Sequence, residues 1–387
     1  MLRFIGRRLI QMAFLFFIFL TVVFFLLLAQ PGDITGQFIQ PDIPAEVREQ
    51  IAARLGLDGS PVSQWWNYIT NFFRGNLGVS FSQYPRPVMD LIAERIPRTL
   101  LLFTLATLLS YFMGFKLGKR LAWRRGGLSE YGVTISGVLL YTVFYPWFAV
   151  MMIVLFASRL GWFPINGFLD PELFRSSPFT GNQVFAQLLL SLGLAAAIAA
   201  CAAILAKRQA ERGAAKLIRR GGYMAALASI AVFWWVRDEM APYAWDIAHH
   251  AVLPIVTLAL VAFAGVMLLT RGSMLETLKE DYILTARAKG VPEKDIRDKH
   301  AARNALLPVV TSFVLGLAFI IGGGIITETV FGWPGMGQLL LDATVVEDIP
   351  VATGALAFTG ILALIAHLGV DLLYAVLDPR IRIRSDA

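Results

Sequence analysis

The residues of this 387-residue chain that could do chemistry are few, and their spacing argues against catalysis. His249 and His250 are adjacent, so on a helix they point apart, while His300, His367 and the single cysteine, Cys201, stand alone. No H-E-x-x-H, G-x-S-x-G or Cys/His group of metal-ligand spacing occurs, so neither a metal site nor a nucleophilic centre is expected. The nearest approach to the phosphate-cradling pattern G-x-x-x-x-G-K-[ST] is Gly114-Phe115-Lys116-Leu117-Gly118-Lys119-Arg120. Its spacing is wrong and it lacks the Ser or Thr that would hold magnesium. The chain is expected to bind no cofactor and to hydrolyse no nucleotide.

A different kind of work is suggested by residues 271–305, a polar island between two apolar runs. It holds eight Lys or Arg and six Asp or Glu. A loop that merely joined two spans could be a handful of residues. Asp281-Tyr282-Ile283-Leu284-Thr285-Ala286-Arg287-Ala288-Lys289-Gly290 reads as a short helix of good formers, closed by a glycine that tolerates positive φ. Val291-Pro292-Glu293 restarts a helix, with Pro292 in the first turn and Glu293 beside the positive end of the dipole. Small Ala286, Ala288 and Gly290 would let another surface approach the backbone. An amphipathic connector lying flat on lipid headgroups would carry the same pattern.

The elements that must position this elbow are apolar. Hydrophobic residues make up 57% and charged residues 16%, against about 45–50% and 25% in a soluble domain, and mean hydropathy is +0.64. Runs long enough to cross about 30 Å of hydrocarbon fall at 9–29, 99–118, 131–157, 184–205, 250–270, 306–326 and 351–377, with a marginal one at 221–236. The net charge of +7 would suggest nucleic acid in a soluble chain; here its distribution matters more. If all eight runs cross and the N-terminus is cytoplasmic, 25 of the 34 Lys and Arg fall inside, as the positive-inside rule demands. An all-α integral membrane protein of about eight spans is expected, both termini cytoplasmic.

Residues 1–29 form the first span. Residues 30–98 are too patterned for a tether. Helix-period apolar residues, the cluster Trp65-Trp66-Asn67-Tyr68 with Phe72 and Phe73, and Gly and Pro punctuation suggest a small helical cap outside the membrane. Such a cap would either receive a soluble partner or seal the outer mouth. Residues 99–387 carry the remaining spans. Within them Gly114 and Gly118 permit close helix packing, Tyr145-Pro146-Trp147 breaks the third span, and Gly322-Gly323-Gly324 loosens the seventh. The turn Glu328-Thr329-Val330-Phe331-Gly332-Trp333-Pro334-Gly335-Met336-Gly337 follows. Tyr145, Pro146, Gly323, Glu328, Phe331 and Pro334 are therefore the candidate pathway or outer-gate residues, Glu328 facing either a solute amine or plain solvent.

Several segments together resemble the membrane permease subunits of ABC importers in the dipeptide, oligopeptide and nickel branch. They are Arg54-Leu55-Gly56-Leu57-Asp58, Gly75 through Ser80, Ile96-Pro97-Arg98-Thr99-Leu100, Leu160-Gly161-Trp162-Phe163-Pro164, Thr285 through Gly290 with His300 through Ala305, Glu328 through Gly337, and Asp378-Pro379-Arg380-Ile381-Arg382. They keep the family's order and span nearly the whole chain. The resemblance implies that Asp281–Gly290 is a coupling helix docking into a cytoplasmic ATPase subunit. It also implies a second homologous permease, two ATPases that use ATP and magnesium, an extracytoplasmic binding protein, and a prokaryotic inner membrane. Cargo would be peptides or related solutes; oligosaccharides or nickel chelates are transported by relatives. Two departures stand out: an inserted hairpin at about 184–236 added to a six-span core, and Phe144-Tyr145-Pro146 where relatives carry Ser-x-Pro. A self-contained secondary carrier or channel is the alternative, but neither inverted repeats nor mid-span charges are evident.

Overall fold

The computed structural model describes residues 2–29, 60–123, 126–208, 221–226, 228, 240–320 and 324–377. Its elements are helical. Among the described residues the extended pairing is confined to one isolated bridge, Val79 with Pro87. In order they are α1 (Leu2–Leu28), α2 (Pro61–Phe73), α3 (Val88–Trp123), α4 (Leu128–Thr142), α5 (Tyr145–Met152), α6 (Pro171–Arg175), α7 (Gly181–Arg208), α8 (Ala241–Thr277), α9 (Asp281–Ala288), α10 (Glu293–Asp295), α11 (Ala302–Ile320), α12 (Ile325–Val330), α13 (Met336–Val345) and α14 (Ile349–Leu377). Five segments are long and apolar enough to cross a membrane: Gly6–Leu26, Val88–Trp123, Gly181–Ile204, Ala241–Thr277 and Ile349–Gly369. The broken pair Glu130–Thr142 and Tyr145–Arg159 makes a sixth if counted as one. At 19 residues, α11 spans about 28 Å. The second arm of the inserted hairpin, 221–236, falls mostly outside the described residues.

Two compact units form, one from Met1–Met152 with Pro254–Ala387 and one from Ile153–Leu253. In the second, Phe168 packs edge-on against Phe185, and the Asp246 carboxylate accepts the backbone N–H of Asp170 at 2.8 Å.

In the first unit, α3 is the organising rod. It begins at Val88, inside the stretch expected to be cap, and carries Asp90, Glu94, Arg95, Pro97 and Arg98 before its apolar run. Helix survives there in part because Glu94 is paired: Arg86 and Arg98 both reach it. It also survives because Val88, Leu91 and Ile92 are buried against α13 and the start of α14. Further along, a Cβ on Gly114 would stand 2.8 Å from the Phe263 carbonyl oxygen, and one on Gly118 would stand 2.6 Å from that of Met267. The neighbours are backbone and cannot step aside, so the small residues at 114 and 118 set how closely α3 and the inner part of α8 approach.

Of the cap, residues 60–98 are described. α2 starts at a Ser60 cap with Pro61 in the first turn. Its aromatic face covers α1: Ile69 and Phe72 pack with Phe16 and Leu20, and the Trp65 indole donates to Thr21 Oγ1 at 3.2 Å. The chain then turns through Gly75 and Gly78, both at positive φ, to Ser80 and Ser82. Their hydroxyls donate to Asp348 Oδ2 at 2.6 and 2.7 Å, which ties the cap to the N-terminus of α14.

Candidate functional site

The elbow 271–305 folds as its composition suggests. α9 runs from Asp281 to Ala288, with Asp281 in the first turn where the dipole favours an anion. It closes with Gly290 at φ +73°; the Gly290 N–H donates to the Arg287 carbonyl at 2.9 Å and that of Val291 to Ala286 at 3.2 Å. This is a Schellman ending, and an L-residue at 290 would add roughly 1–2 kcal/mol of strain. Pro292 sits one position earlier than expected, as the cap of α10 rather than within its first turn. A π-turn, Ile296–Ala301, carries the chain on into α11.

Two side chains root α9 in the protein. Ile283 is fully buried and Ala286 nearly so, in a cluster with Ala122 of α3, Met274 of α8, and Ile296, Ala301, Ala302 and Ala305. Ala286 was expected on the surface that meets a partner; it is turned inward, because a three-residue spacing puts it on the face of Ile283. The outward face is Asp281, Tyr282, Leu284, Thr285, Arg287, Ala288, Lys289 and Gly290, all exposed. Leu284, 56% exposed, was not singled out from sequence. Its signal was available: an apolar residue out of phase with 283 and 286.

Polar ties bind the elbow to three long helices. Ser273 Oγ of α8 donates to the Ala305 carbonyl at 3.1 Å, and Asn304 Nδ2 donates to the Tyr282 hydroxyl at 2.7 Å. Arg271 Nη2 lies 2.5 Å from Glu130 Oε1, whose other oxygen accepts the Gly126 N–H. Asp298 accepts from both Arg297 and, at 3.0 Å, Lys119 of α3, while the Arg297 guanidinium lies over the Trp123 ring. A displacement of α9 therefore acts on α3, α8 and α11 together.

The bond from Arg297, with Lys119 beside it, holds the Asp298 carboxyl well below the usual carboxylate range. A carboxylate depressed in the folded state stabilises at all pH above its unfolded value, about 3.9, and loses that contribution as pH falls through its lower folded value. The difference in thermal midpoint between wild type and Asp298→Asn is thus expected to be constant from about pH 8 to 5. It should narrow only below about pH 4, read by fluorescence melting of the purified protein.

On the opposite, cap side the gate candidates fall into two places. α4 ends at Val143 in extended conformation, two residues before Tyr145. Pro146 therefore lies in the first turn of α5, second after Tyr145, where its missing N–H costs nothing, instead of interrupting a helix. The Tyr145 hydroxyl accepts from Thr327 Oγ1 at 2.8 Å, joining this break to α12. Glu328, Phe331 and Pro334 gather in a buried clasp. Glu328 is fully buried; its Oε1 accepts from Thr99 Oγ1 at 2.7 Å and its Oε2 from the Gln338 N–H at 2.9 Å. The carboxylate is engaged inside the fold and shielded from solvent. Phe331 is buried beside it, Trp333 Nε1 donates to the Arg98 carbonyl at 3.2 Å, and the Pro334 carbonyl accepts from Arg98 at 3.5 Å. Gly323 lies outside the described residues. Thr99, quoted above only within a family segment, and Asp348 are buried hydrogen-bonding partners that were not among the candidate site residues. Their partners lie 229 and 268 residues away along the chain, so no local spacing revealed the pairing.

Comparison with known proteins gives the same assignment. Residues 106–383 match the family model described as the binding-protein-dependent transport system inner membrane component, and residues 1–103 match the N-terminal model of such membrane components. The chain is 30% identical over 365 residues to an oligopeptide transport system permease protein of Bacillus subtilis, covering 94% of each chain. It is 31% identical over 383 residues to a di/tripeptide transport system permease protein of Pseudomonas aeruginosa, covering 99% of each. The same identity holds over 390 residues to a dipeptide transport system permease protein of Escherichia coli, again over 99% of each. The chain belongs to the inner-membrane component family of binding-protein-dependent transport systems, the multi-pass permease part of an ABC importer whose ATP hydrolysis resides in separate subunits.

Proposed function

We propose that this chain forms half of a translocation pathway for short peptides, completed by a second, related permease. Two cytoplasmic ATPases drive it, with α9 seated in one of them, and a binding protein delivers cargo to the cap side. The termini are cytoplasmic and eight spans cross, six of the family core and two of the inserted hairpin. The observation that carries the docking assignment is the division of α9 into a two-residue inner root and an otherwise exposed outer face. A segment built in that way transmits force from a partner on its outside to the helices on its inside. Peptide cargo is supported by the names of the relatives. Tyr145, Pro146, Gly323, Glu328, Phe331 and Pro334 are proposed to shape the outer gate through the position of α12, without themselves binding solute.

The test is reconstitution of the complete transporter in vesicles. Di- or tripeptide accumulation is expected to require ATP, to stop with a nonhydrolysable analogue, and to survive an uncoupler. Uptake of an oligosaccharide or a nickel chelate in place of peptide would redirect the cargo assignment. Uptake driven by the proton gradient alone would overturn the motor assignment.

A further inference from the structure

At the end of α3 away from the elbow, residues 79–87 fold back on themselves as a finger. Val79 bridges Pro87, the Ser80 N–H donates to the Arg86 carbonyl at 2.9 Å, and the Val88 N–H donates to that of Gly78 at 3.1 Å. Residues 82–87 are all exposed, Tyr84 to 65%. A hydrogen-bonded turn thus holds a large aromatic ring outward.

Depth along α3 excludes lipid as what that ring meets. From Arg98 to Lys116 the helix carries no charge between its ends, a rise of about 27 Å that matches the hydrocarbon. Val88, the root of the finger, stands ten residues outward of Arg98. That is about 15 Å, against a headgroup layer of about 5–7 Å on each side. The finger stands in water, where Ser82, Gln83 and Arg86 are at home beside Tyr84.

Two ties carry its position inward. The Ser80 and Ser82 hydroxyls and the Ser82 N–H donate to Asp348 Oδ2 at 2.6, 2.7 and 2.9 Å, while Asp348 Oδ1 accepts the Val351 N–H at the start of α14 at 3.4 Å. The second tie runs through Glu94, shared between the exposed Arg86 on one oxygen and the buried Arg98, at 2.8 Å, on the other. Arg98 donates to the Pro334 carbonyl at 3.5 Å, and its own carbonyl accepts the Trp333 indole N–H. A displaced finger therefore pulls on Glu94 and, through Arg98, on the clasp around Glu328.

We propose that this finger is a seat for the extracytoplasmic binding protein, with Tyr84 as the anchor and Arg86, Glu94 and Arg98 as a relay that reports its arrival to the outer gate. The inference rests on delivery of cargo to the cap side, as proposed above. The family to which the chain belongs depends on a binding protein, and a soluble protein is the partner that reaches an aromatic ring held above the headgroups. Exposed rings of this kind are common anchors of protein interfaces. Arg86 and Glu94 are positioning residues and need not touch the partner.

The test is ATP hydrolysis by the complete reconstituted transporter, measured against the concentration of its binding protein loaded with dialanine. Tyr84→Asp is expected to raise the half-saturating concentration about tenfold. Arg86→Gln is expected to leave that concentration within about twofold and to lower the maximal stimulated rate about fivefold, the loss of one partly exposed ion pair. Benzoylphenylalanine in place of Tyr84 keeps a ring at the tip and should crosslink to the binding protein under light; it carries the test should Tyr84→Asp insert poorly. Wild-type hydrolysis that ignores the binding protein would overturn the delivery reading itself. Stimulation with a half-saturating concentration unmoved by Tyr84→Asp, or no adduct with the binding protein from position 84, would overturn the finger alone. A crosslink from 84 to the second permease would do the same and mark a seam between caps. An unchanged maximal rate in Arg86→Gln would overturn the relay.

Discussion

Leu284→Asp is expected to abolish solute uptake and capture of the ATPase subunit while the chain still inserts at wild-type levels. Leu284 projects from the outer face of α9 and is more than half exposed, so its removal takes nothing from the core of the elbow. What it would lose is an apolar anchor in a groove of the partner, replaced by a carboxylate that the groove must desolvate. Anchors of this kind are typically worth about 2 kcal/mol or more, which is roughly a thirtyfold loss of affinity before the added charge is counted. Ala286→Asp makes the contrast. Its carboxylate would enter the cluster of Ala122, Met274, Ile283 and Ile296, where an unpaired buried charge costs about 3–5 kcal/mol. That variant should lose thermal stability and membrane yield together with uptake. Pull-down of the ATPase with each variant, beside its level in the membrane fraction, separates the two. Full ATPase capture by Leu284→Asp would remove the docking face from α9.

The contrast also shows how far the sequence could be read. Apolar run length is a property of the chain alone, and the long helices lie where those runs lie. Gly290 was legible for a similar reason: only a residue without a Cβ suits the φ of +73° that the helix ending adopts. The direction faced by Ala286 was harder, because a small side chain serves equally to admit a partner and to fit the protein's own core. The spacing to Ile283 carried the answer. The start of α3 was obscured by Glu94, Arg95, Pro97 and Arg98, which read as loop. Their helical state depends on Arg86 and on burial against α13 and α14, contacts made only in the folded chain. The turn 328–337 was misleading in the opposite sense. Gly and Pro without a cation look like an exposed mouth, yet Gly335 and Gly337 are small because they wrap a buried carboxylate.

That wrapping gives the second large effect. Glu328→Gln is isosteric and removes only the charge and one acceptor, yet it is expected to lower the thermal midpoint and membrane yield of the chain. One glutamate oxygen now accepts from Thr99 and the other from the Gln338 N–H. An amide offers one oxygen and one NH2, so it can keep the Gln338 bond only by turning its NH2 toward Thr99. The Thr99 hydroxyl already accepts the Met336 N–H at 2.8 Å, and it would be left donating to nothing. An unsatisfied buried donor costs about 1–3 kcal/mol. Gly335→Ala attacks the same clasp by volume. Its Cβ would overlap the Glu328 carboxylate and stand 2.5 Å from Thr99 Oγ1, with both groups fixed by their hydrogen bonds. Because α12 also carries Thr327, the partner of Tyr145, either change should reach the break between α4 and α5. Accessibility of a cysteine placed at the buried Ala149 of α5, which leaves the Tyr145 hydroxyl in place, is therefore expected to rise in both variants. Wild-type melting with unchanged labelling at 149 would mean that the buried carboxylate does not hold α12 in place.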